Sequence, residues 1–145
     1  DDALEKVLRS LRPLCGGRLL CVLGAGGDRD RSKRPRVGRV VERWADLPIV
    51  TSDNPRSEEP LAIISDIRQG LHHPEQACVL VEREEAIHRA LELASPEDLV
   101  VIAGKGHETY QVIGDETRPF DDREVAREAL RRCWGGDETT ADRAA

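Results

Sequence analysis

The sequence predicts an α/β domain in three layers, a mostly parallel sheet with helices on both faces. Short continuous apolar runs alternate with segments whose apolar residues recur every three or four positions. Alternation of that kind builds βα units, whose parallel strands are covered on both sides. Glycine-rich or polar loops follow the apolar runs, at the strand ends where open α/β sheets bind their ligands.

Each element has its own signal. Leu4, Val7, Leu8, Leu11 and Leu14 lie at helical spacing, with Asp1 or Asp2 available as a cap and Gly16-Gly17 as a stop. Residues 18–23 read as a buried strand, followed by the glycine loop 24–30. Val37, Val40, Val41 and Trp44 mark a second helix, and residues 48–51 the next strand. Residues 52–58 are a polar turn. Pro60 opens a third helix that runs to Leu71 on the face of Leu61, Ile64 and Ile67. Residues 77–81 are a strand, 86–94 a helix and 98–103 the most apolar strand. A second glycine loop, 104–107, comes next. Tyr110 to Val112 and Phe120 suggest a short irregular or hairpin segment, and residues 125–134 the last helix. The arrangement is Rossmann-like: a domain over 1–134 and a small, polar, flexible tail over 135–145.

Composition narrows the functional classes. The chain has 145 residues, enough for one domain, and 39% of them are apolar, enough for one core. A net charge of −6 opposes nucleic-acid binding, which needs a basic footprint. No apolar run approaches the roughly 20 residues that span a bilayer, and no secretory leader opens the chain, so a cytoplasmic location is expected. Cys15, Cys21, Cys78 and Cys133 form no C-x-x-C pair and have no zinc-finger spacing with the histidines. Cys21 and Cys78 fall in strand segments and read as buried free thiols. No metal site is expected. The absence of methionine and the opening on a helix signal suggest a piece of a longer polypeptide.

Three loops hold the candidate chemistry. In the first, the third glycine of a dinucleotide fingerprint would fall at Arg29, so Gly24 and Gly26 do not complete it. The basic run from Arg29 through Lys33 and Arg34 reads either as a solvated face or as guanidinium groups placed for carboxylate or phosphate. In the second, Asp53-Asn54-Pro55-Arg56 is an ordinary turn signal by itself. Its chemistry nevertheless suits an amino acid, since Asp and the Asn oxygen accept from an ammonium and Arg pairs with a carboxylate. In the third, Gly104-Lys105-Gly106-His107-Glu108 is not a phosphate-binding P-loop, because no Ser or Thr follows the lysine. Its glycines let backbone approach a ligand, and Glu108 can accept from an ammonium. His107 reads as structural, and His72-His73 as exposed.

Four strings in this order resemble the Mur ligases, within them the branch that adds meso-diaminopimelate: residues 24–30 (GAGGDRD), 33–35 (KRP), 53–56 (DNPR) and 104–108 (GKGHE). The starting DALEK at 2–6 and RPFDD at 118–122 also look like the family, and the likeness runs from about residue 2 to 132. Two positions depart from its pattern. Arg31-Ser32 replaces a basic residue and a glycine, and Ser52 stands where an acidic residue is common.

The resemblance implies the C-terminal domain of a three-domain, ATP-dependent ligase. That enzyme activates the carboxylate of UDP-N-acetylmuramoyl-L-Ala-D-Glu as an acyl phosphate, which the amine of meso-diaminopimelate then attacks in peptidoglycan synthesis. The nucleotide-sugar, ATP and Mg2+ would be held mainly by the other two domains, so no catalytic residue is expected in this chain and it would be inactive alone. Carried over residue by residue, the amino acid falls to Arg29, Asp53, Asn54, Arg56, Gly104 and Glu108. Arg56 would pair with the distal carboxylate, Asp53, Asn54 and Glu108 would take the distal ammonium, and Arg29 would help hold a carboxylate. Asp28, Lys33 and Arg34 would reach the nucleotide on domain closure. Relatives that add lysine typically lack the arginine, so Arg56 favours diaminopimelate.

Alternatives are a lysine-adding, peptide-recycling or polyglutamate-forming relative, a non-catalytic binding module of the same fold, and a nicotinamide-binding domain. Arg56 and the intact third loop weigh against the first, the intact loops against the second, and the failed fingerprint against the third.

Overall fold

A computed structural model describes residues 2–105 and 107–135. Asp1, Gly106 in the third loop, and the expected tail beyond Gly135 lie outside the described residues. Four parallel strands form the main sheet: β1 (Leu19–Leu23), β2 (Leu47–Val50), β3 (Cys78–Val79) and β4 (Leu99–Ile102), in the order β3-β2-β1-β4. Among the described residues five α-helices accompany them: α1 (Asp2–Leu11), α2 (Lys33–Trp44), α3 (Pro60–Arg68), α4 (Arg83–Leu93) and α5 (Asp122–Trp134). Between β4 and α5 stands a separate antiparallel hairpin, β5 (Tyr110–Ile113) and β6 (Glu116–Pro119). The expected three-layer α/β architecture is present.

The layers follow from side-chain alternation along the central strand. Leu19, Cys21 and Leu23 of β1 face α1, α2 and α3, where they meet Leu8, Val41, Ile63, Ile64 and Ile67. Leu20 and Val22 face the other way, against Ala86, Ile87 and Ala90 of α4, with Val125 and Ala126 of α5 at the margin. All five β1 side chains are buried. A strand enclosed on both faces reads as unbroken apolar sequence.

Element ends differ from the expected ones for local reasons. α2 begins at Lys33, ahead of its first apolar landmark, because Pro35 is compatible with the first turn of a helix. α3 stops at Arg68 and not at Leu71, since Gly70 and Leu71 donate to Ile67 and Arg68 in tight three-residue turns. α5 begins at Asp122, three residues early, because the Asp121 side chain caps it by accepting from the Arg123 N–H at 2.9 Å. β3 is only two residues long, although the Leu80 N–H still reaches the Val50 carbonyl. Cys21 is fully buried, and burial pushes its thiol up to about 12 despite the nearby Arg83 charge. Cys78 is only half-buried, so the expectation of a buried thiol holds for Cys21 alone. Among the described residues no helix is long and apolar enough to cross a membrane.

The fully enclosed Ile87 carries much of the α4 face. Ile87→Ala is expected to cost about 2–5 kcal/mol by urea denaturation. Leu14→Ala, at a side chain 77% exposed, is expected to cost less than about 0.5 kcal/mol.

Candidate functional site

The carboxyl ends of β1, β2 and β4 release the three loops side by side, and a buried guanidinium ties two of these strand ends together. Arg83, at the start of α4, donates through Nη1 to the Ser52 carbonyl beyond β2 (3.1 Å) and through Nη2 to the Ala103 carbonyl beyond β4 (3.0 Å). Its Nε and Nη2 clasp both carboxylate oxygens of Asp122, at 2.8 and 2.7 Å. Such a forked pair fixes orientation as well as charge.

The second loop is not the exposed turn that its composition suggests. Thr51, Ser52, Asp53, Asn54 and Pro55 are all buried. The hairpin holds this loop from outside: the Arg56 N–H donates to the Val112 carbonyl at 3.0 Å, and the Gly114 N–H donates to the Arg56 carbonyl at 2.7 Å. Gln111 Nε2 donates to the Asp53 carbonyl at 2.8 Å. Arg56 takes a left-handed backbone, φ 52°, unusual for a residue with a side chain. Its Nη1 donates to the Gly27 carbonyl of the first loop at 2.9 Å. Gly27 in turn lies so close to Pro55 that a β-carbon there would sit 1.8 Å from the Pro55 oxygen, so only glycine lets the two loops touch.

Asn54 corrects one sequence expectation. Its Oδ1 accepts from Lys105 Nζ and from the Val112 N–H, both at 2.9 Å. Both neighbours are donors, so the oxygen must face them, and its two lone pairs are used. Asn54 therefore has no oxygen left for a ligand ammonium. What remains is the amide nitrogen, which has no partner among the described residues and can only donate. Asp53 is buried, and its Oδ1 lies 3.5 Å from Lys105 Nζ, within reach of the charge but not in hydrogen-bond geometry.

The third loop leaves β4 through Gly104, whose φ of 118° favours glycine and whose missing side chain makes room for Asp53 Oδ2. Lys105 points inward, its side chain fully enclosed. Besides Asn54, its ammonium donates to the Tyr110 carbonyl, and it stands 5.7 Å from the Tyr110 ring. Glu108 is half-buried and accepts from the Tyr110 hydroxyl at 3.0 Å. That carboxylate raises the phenol pKa. His107 is exposed, which does not support its reading as structural, and the side chains of His72 and His73 are exposed, as expected.

Arg29 is exposed at the rim, with its Cγ beside Gly26, the glycine that also adjoins Arg56. The amino-acid candidates Arg29, Asp53, Asn54, Arg56, Gly104 and Glu108 thus belong to one contiguous edge. The nucleotide candidates divide. Lys33 is exposed at the start of α2, beside a cavity of about 380 Å³ that Arg29 also lines. Asp28 is exposed but committed to the second loop, accepting from the Ser57 hydroxyl and N–H. Arg34 is enclosed, 2% exposed, with Nη1 and Nη2 donating to Glu58, Asp66 and the Gly26 carbonyl. Its reading as a nucleotide contact gives way to a structural one, because both terminal nitrogens are already engaged. A larger cavity, about 610 Å³, lies away from this edge beside Arg36, Arg39 and Glu42 and meets none of these residues.

Sequence reasoning missed Lys105, Arg83, Gln111 and Glu58. A lysine between two glycines directly after the most apolar strand was the available signal for the first. The others are invisible without the fold, since the bonds that tie them to the loops span 20 to 58 residues.

These features define a parallel α/β domain whose loop-bearing sheet edge is lined by paired acidic and basic side chains. The family description "Mur ligase, glutamate ligase domain" matches residues 1–106, and the chain belongs to that family. Among curated proteins it is 52% identical over 129 residues to the UDP-N-acetylmuramoyl-L-alanyl-D-glutamate--2,6-diaminopimelate ligase of Synechocystis sp., covering 89% of this chain and 26% of that protein. It is 54% identical over 129 residues to the ligase of the same name from Coxiella burnetii, with the same coverage. A solved structure of a ligase of that name superposes with a TM-score of 0.86 at 42% identity, over 90% of this chain and 27% of the other. The chain spans about a quarter of the length of the curated relatives it matches.

Glu58 gives a pH test of the loop's anchoring. The Arg34 guanidinium and the Asp28 N–H hold its carboxyl down to about 2, against 4.5 ordinarily. A folded-state pKa below the unfolded one stabilises above the unfolded value, and that stabilisation fades as pH falls through the folded value. Glu58→Gln is therefore expected to be less stable than the parent at neutral pH, with the difference closing between about pH 4.5 and 2. A difference that stayed constant across that window in thermal unfolding would contradict this.

Proposed function

We propose that this chain supplies the amino-acid pocket of an ATP-dependent ligase that joins meso-diaminopimelate to UDP-N-acetylmuramoyl-L-Ala-D-Glu in peptidoglycan synthesis. The observation that carries the reading is the sheet edge whose loops carry Arg56, Asn54, Asp53 and Glu108, in a chain about half identical to ligases named for that amino acid. Meso-diaminopimelate has two amino-acid ends. One amine must attack the acyl phosphate, which leaves the distal end to be gripped. Donor and acceptor counts allot that end as follows. Arg56 and the Asn54 amide nitrogen take the carboxylate, with Arg29 at the rim, and Asp53 and Glu108 take the ammonium. Arg56 is well suited, because its bond to Gly27 leaves other guanidinium donors to the ligand.

ATP and Mg2+ belong to the rest of such a ligase. The described residues include no group of three or more His, Cys, Asp or Glu able to hold a metal ion. No step of the chemistry is assigned to this chain. Its part is to bind and orient the amine donor, and the UDP-sugar and nucleotide are partners of the other domains. The enzyme would work in the cytoplasm.

The test is amino-acid selectivity of the complete ligase. The parent is expected to prefer meso-diaminopimelate to lysine. Arg56→Ala should lower kcat/KM for meso-diaminopimelate by about 10- to 100-fold, the value of one or two charged hydrogen bonds, and leave lysine use nearly unchanged. A parent that prefers lysine would sink the assignment. The isolated chain should form no amide bond.

A further inference from the structure

Lys105 is the one ammonium group of the edge that is wholly enclosed, and the proposed function gives it no ligand to hold. A buried lysine is costly unless its charge is compensated. Among the described residues its ammonium's contacts all lie at the pocket: Asn54 Oδ1 at 2.9 Å, the Tyr110 carbonyl, Asp53 Oδ1 at 3.5 Å and the Tyr110 ring. Asn54 in turn receives the Val112 N–H on the same oxygen. An unpaired asparagine amide can turn over and exchange its oxygen and nitrogen. With an ammonium and a backbone N–H both aimed at one end, the turned-over amide would face two donors with a third.

We propose that Lys105 is a positioning residue for the amino-acid pocket. Its ammonium locks the Asn54 amide with the nitrogen outward, so that Asn54 presents a donor to a ligand carboxylate, and draws the Asp53 carboxylate into place beside it. The charge also spans two loops. Asp53 and Asn54 follow β2, Lys105 follows β4, and Tyr110 opens the hairpin that carries the Val112 N–H. One group thereby sets the spacing of the carboxylate-binding and ammonium-binding halves of the pocket. Because it acts through Asn54 and Asp53, its removal should weaken the grip on the amino acid more than the reaction itself.

This inference rests on the proposed function, and the test separates the two. Steady-state kinetics of the complete ligase would be compared for the parent, Lys105→Met, Asn54→Ala and the double variant, with thermal unfolding of each. For Lys105→Met, the KM for meso-diaminopimelate should rise about 10-fold or more, the order of one charged hydrogen bond lost. The KM for ATP should stay within about twofold, and kcat should fall much less than KM rises. In the Asn54→Ala background the same change should add little, since the amide it orients is gone. Lys105→Gln, which keeps an N–H donor of similar reach, should recover part of the loss, and is read in place of Lys105→Met if the latter does not fold. Equal changes in both KM values, or fully additive effects of Lys105→Met and Asn54→Ala, would make Lys105 merely structural and overturn the proposal. If the parent does not use meso-diaminopimelate, the proposed function fails instead. The KM for the amino acid it does use then decides the role of Lys105 by the same pattern.

Discussion

The buried guanidinium of Arg83 is the interaction on which the ligand edge depends. Parallel strands end in carbonyls that no longer have ladder partners, and at a buried sheet edge each of them must still find a donor. Arg83 supplies donors to the Ser52 and Ala103 carbonyls, beyond the ends of β2 and β4, and is itself neutralised by Asp122 at the start of α5. Two loop origins and two helices are thereby joined at one planar group. A lysine could not do this, since a single nitrogen has neither the span nor the fork geometry. A buried ion pair of this kind is weak evidence of net stability, because desolvation opposes the attraction. Its effect is on order: losing either partner would leave an uncompensated charge beneath the pocket.

Above that layer the same logic repeats with Lys105 and, at the far side, with Arg34. Three enclosed cations lie under loops whose exposed residues are themselves charged. Each consumes carbonyls and carboxylates that would otherwise be free to move: Arg34 takes Glu58, Asp66 and the Gly26 carbonyl, and Lys105 takes Asn54 and the Tyr110 carbonyl. The loops are polar in composition yet densely hydrogen-bonded in their described residues. This explains how a left-handed Arg56 persists, a conformation that costs an L-residue roughly 1–2 kcal/mol. The hairpin bonds to Val112 and Gly114 hold it there. Strain kept at a site by its surroundings is a way to aim a side chain.

The fold was legible because its signal is local. The unbroken apolar run of β1, the helical spacing of Leu4, Leu8 and Leu11, and the glycines after the strands each declare themselves within a few residues. Ends were less legible: Asp121 as a cap and the tight turns at Gly70 depend on single side-chain or backbone bonds that a periodicity does not record. At the site, Asp53, Asn54, Arg56 and Glu108 were found as strings, and the resemblance placed them together. Their hydrogen-bond states were not legible. Nothing in the tetrapeptide tells that the Asn54 oxygen is filled by a lysine 51 residues later. Likewise Arg34 sits among five basic residues in a run that looks solvated, yet it alone is enclosed, because Glu58 and Asp66 meet it from two other segments.

These hydrogen-bond states divide the edge into groups already committed and groups still available, and the division bears on how selectivity arises. Lys105, Arg83, Arg34 and the Asn54 oxygen are committed to the protein. The Asn54 nitrogen, the remaining Arg56 donors, Arg29 and Glu108 are the groups that the proposed pocket leaves for a ligand. On the proposed function, donors and acceptors in the second set are positioned by the first, so a ligand would be measured by the distance between its own carboxylate and ammonium. An amino acid that lacked the distal carboxylate would leave the Arg56 guanidinium and the Asn54 amide partly desolvated and unpaired, and unpaired polar groups are penalised more heavily than paired ones are rewarded. Discrimination of this sort requires that the pocket not relax around the wrong ligand. In the proposed pocket the buried cations would oppose that relaxation, since moving Asn54 or Asp53 would strand the charge of Lys105 in the interior.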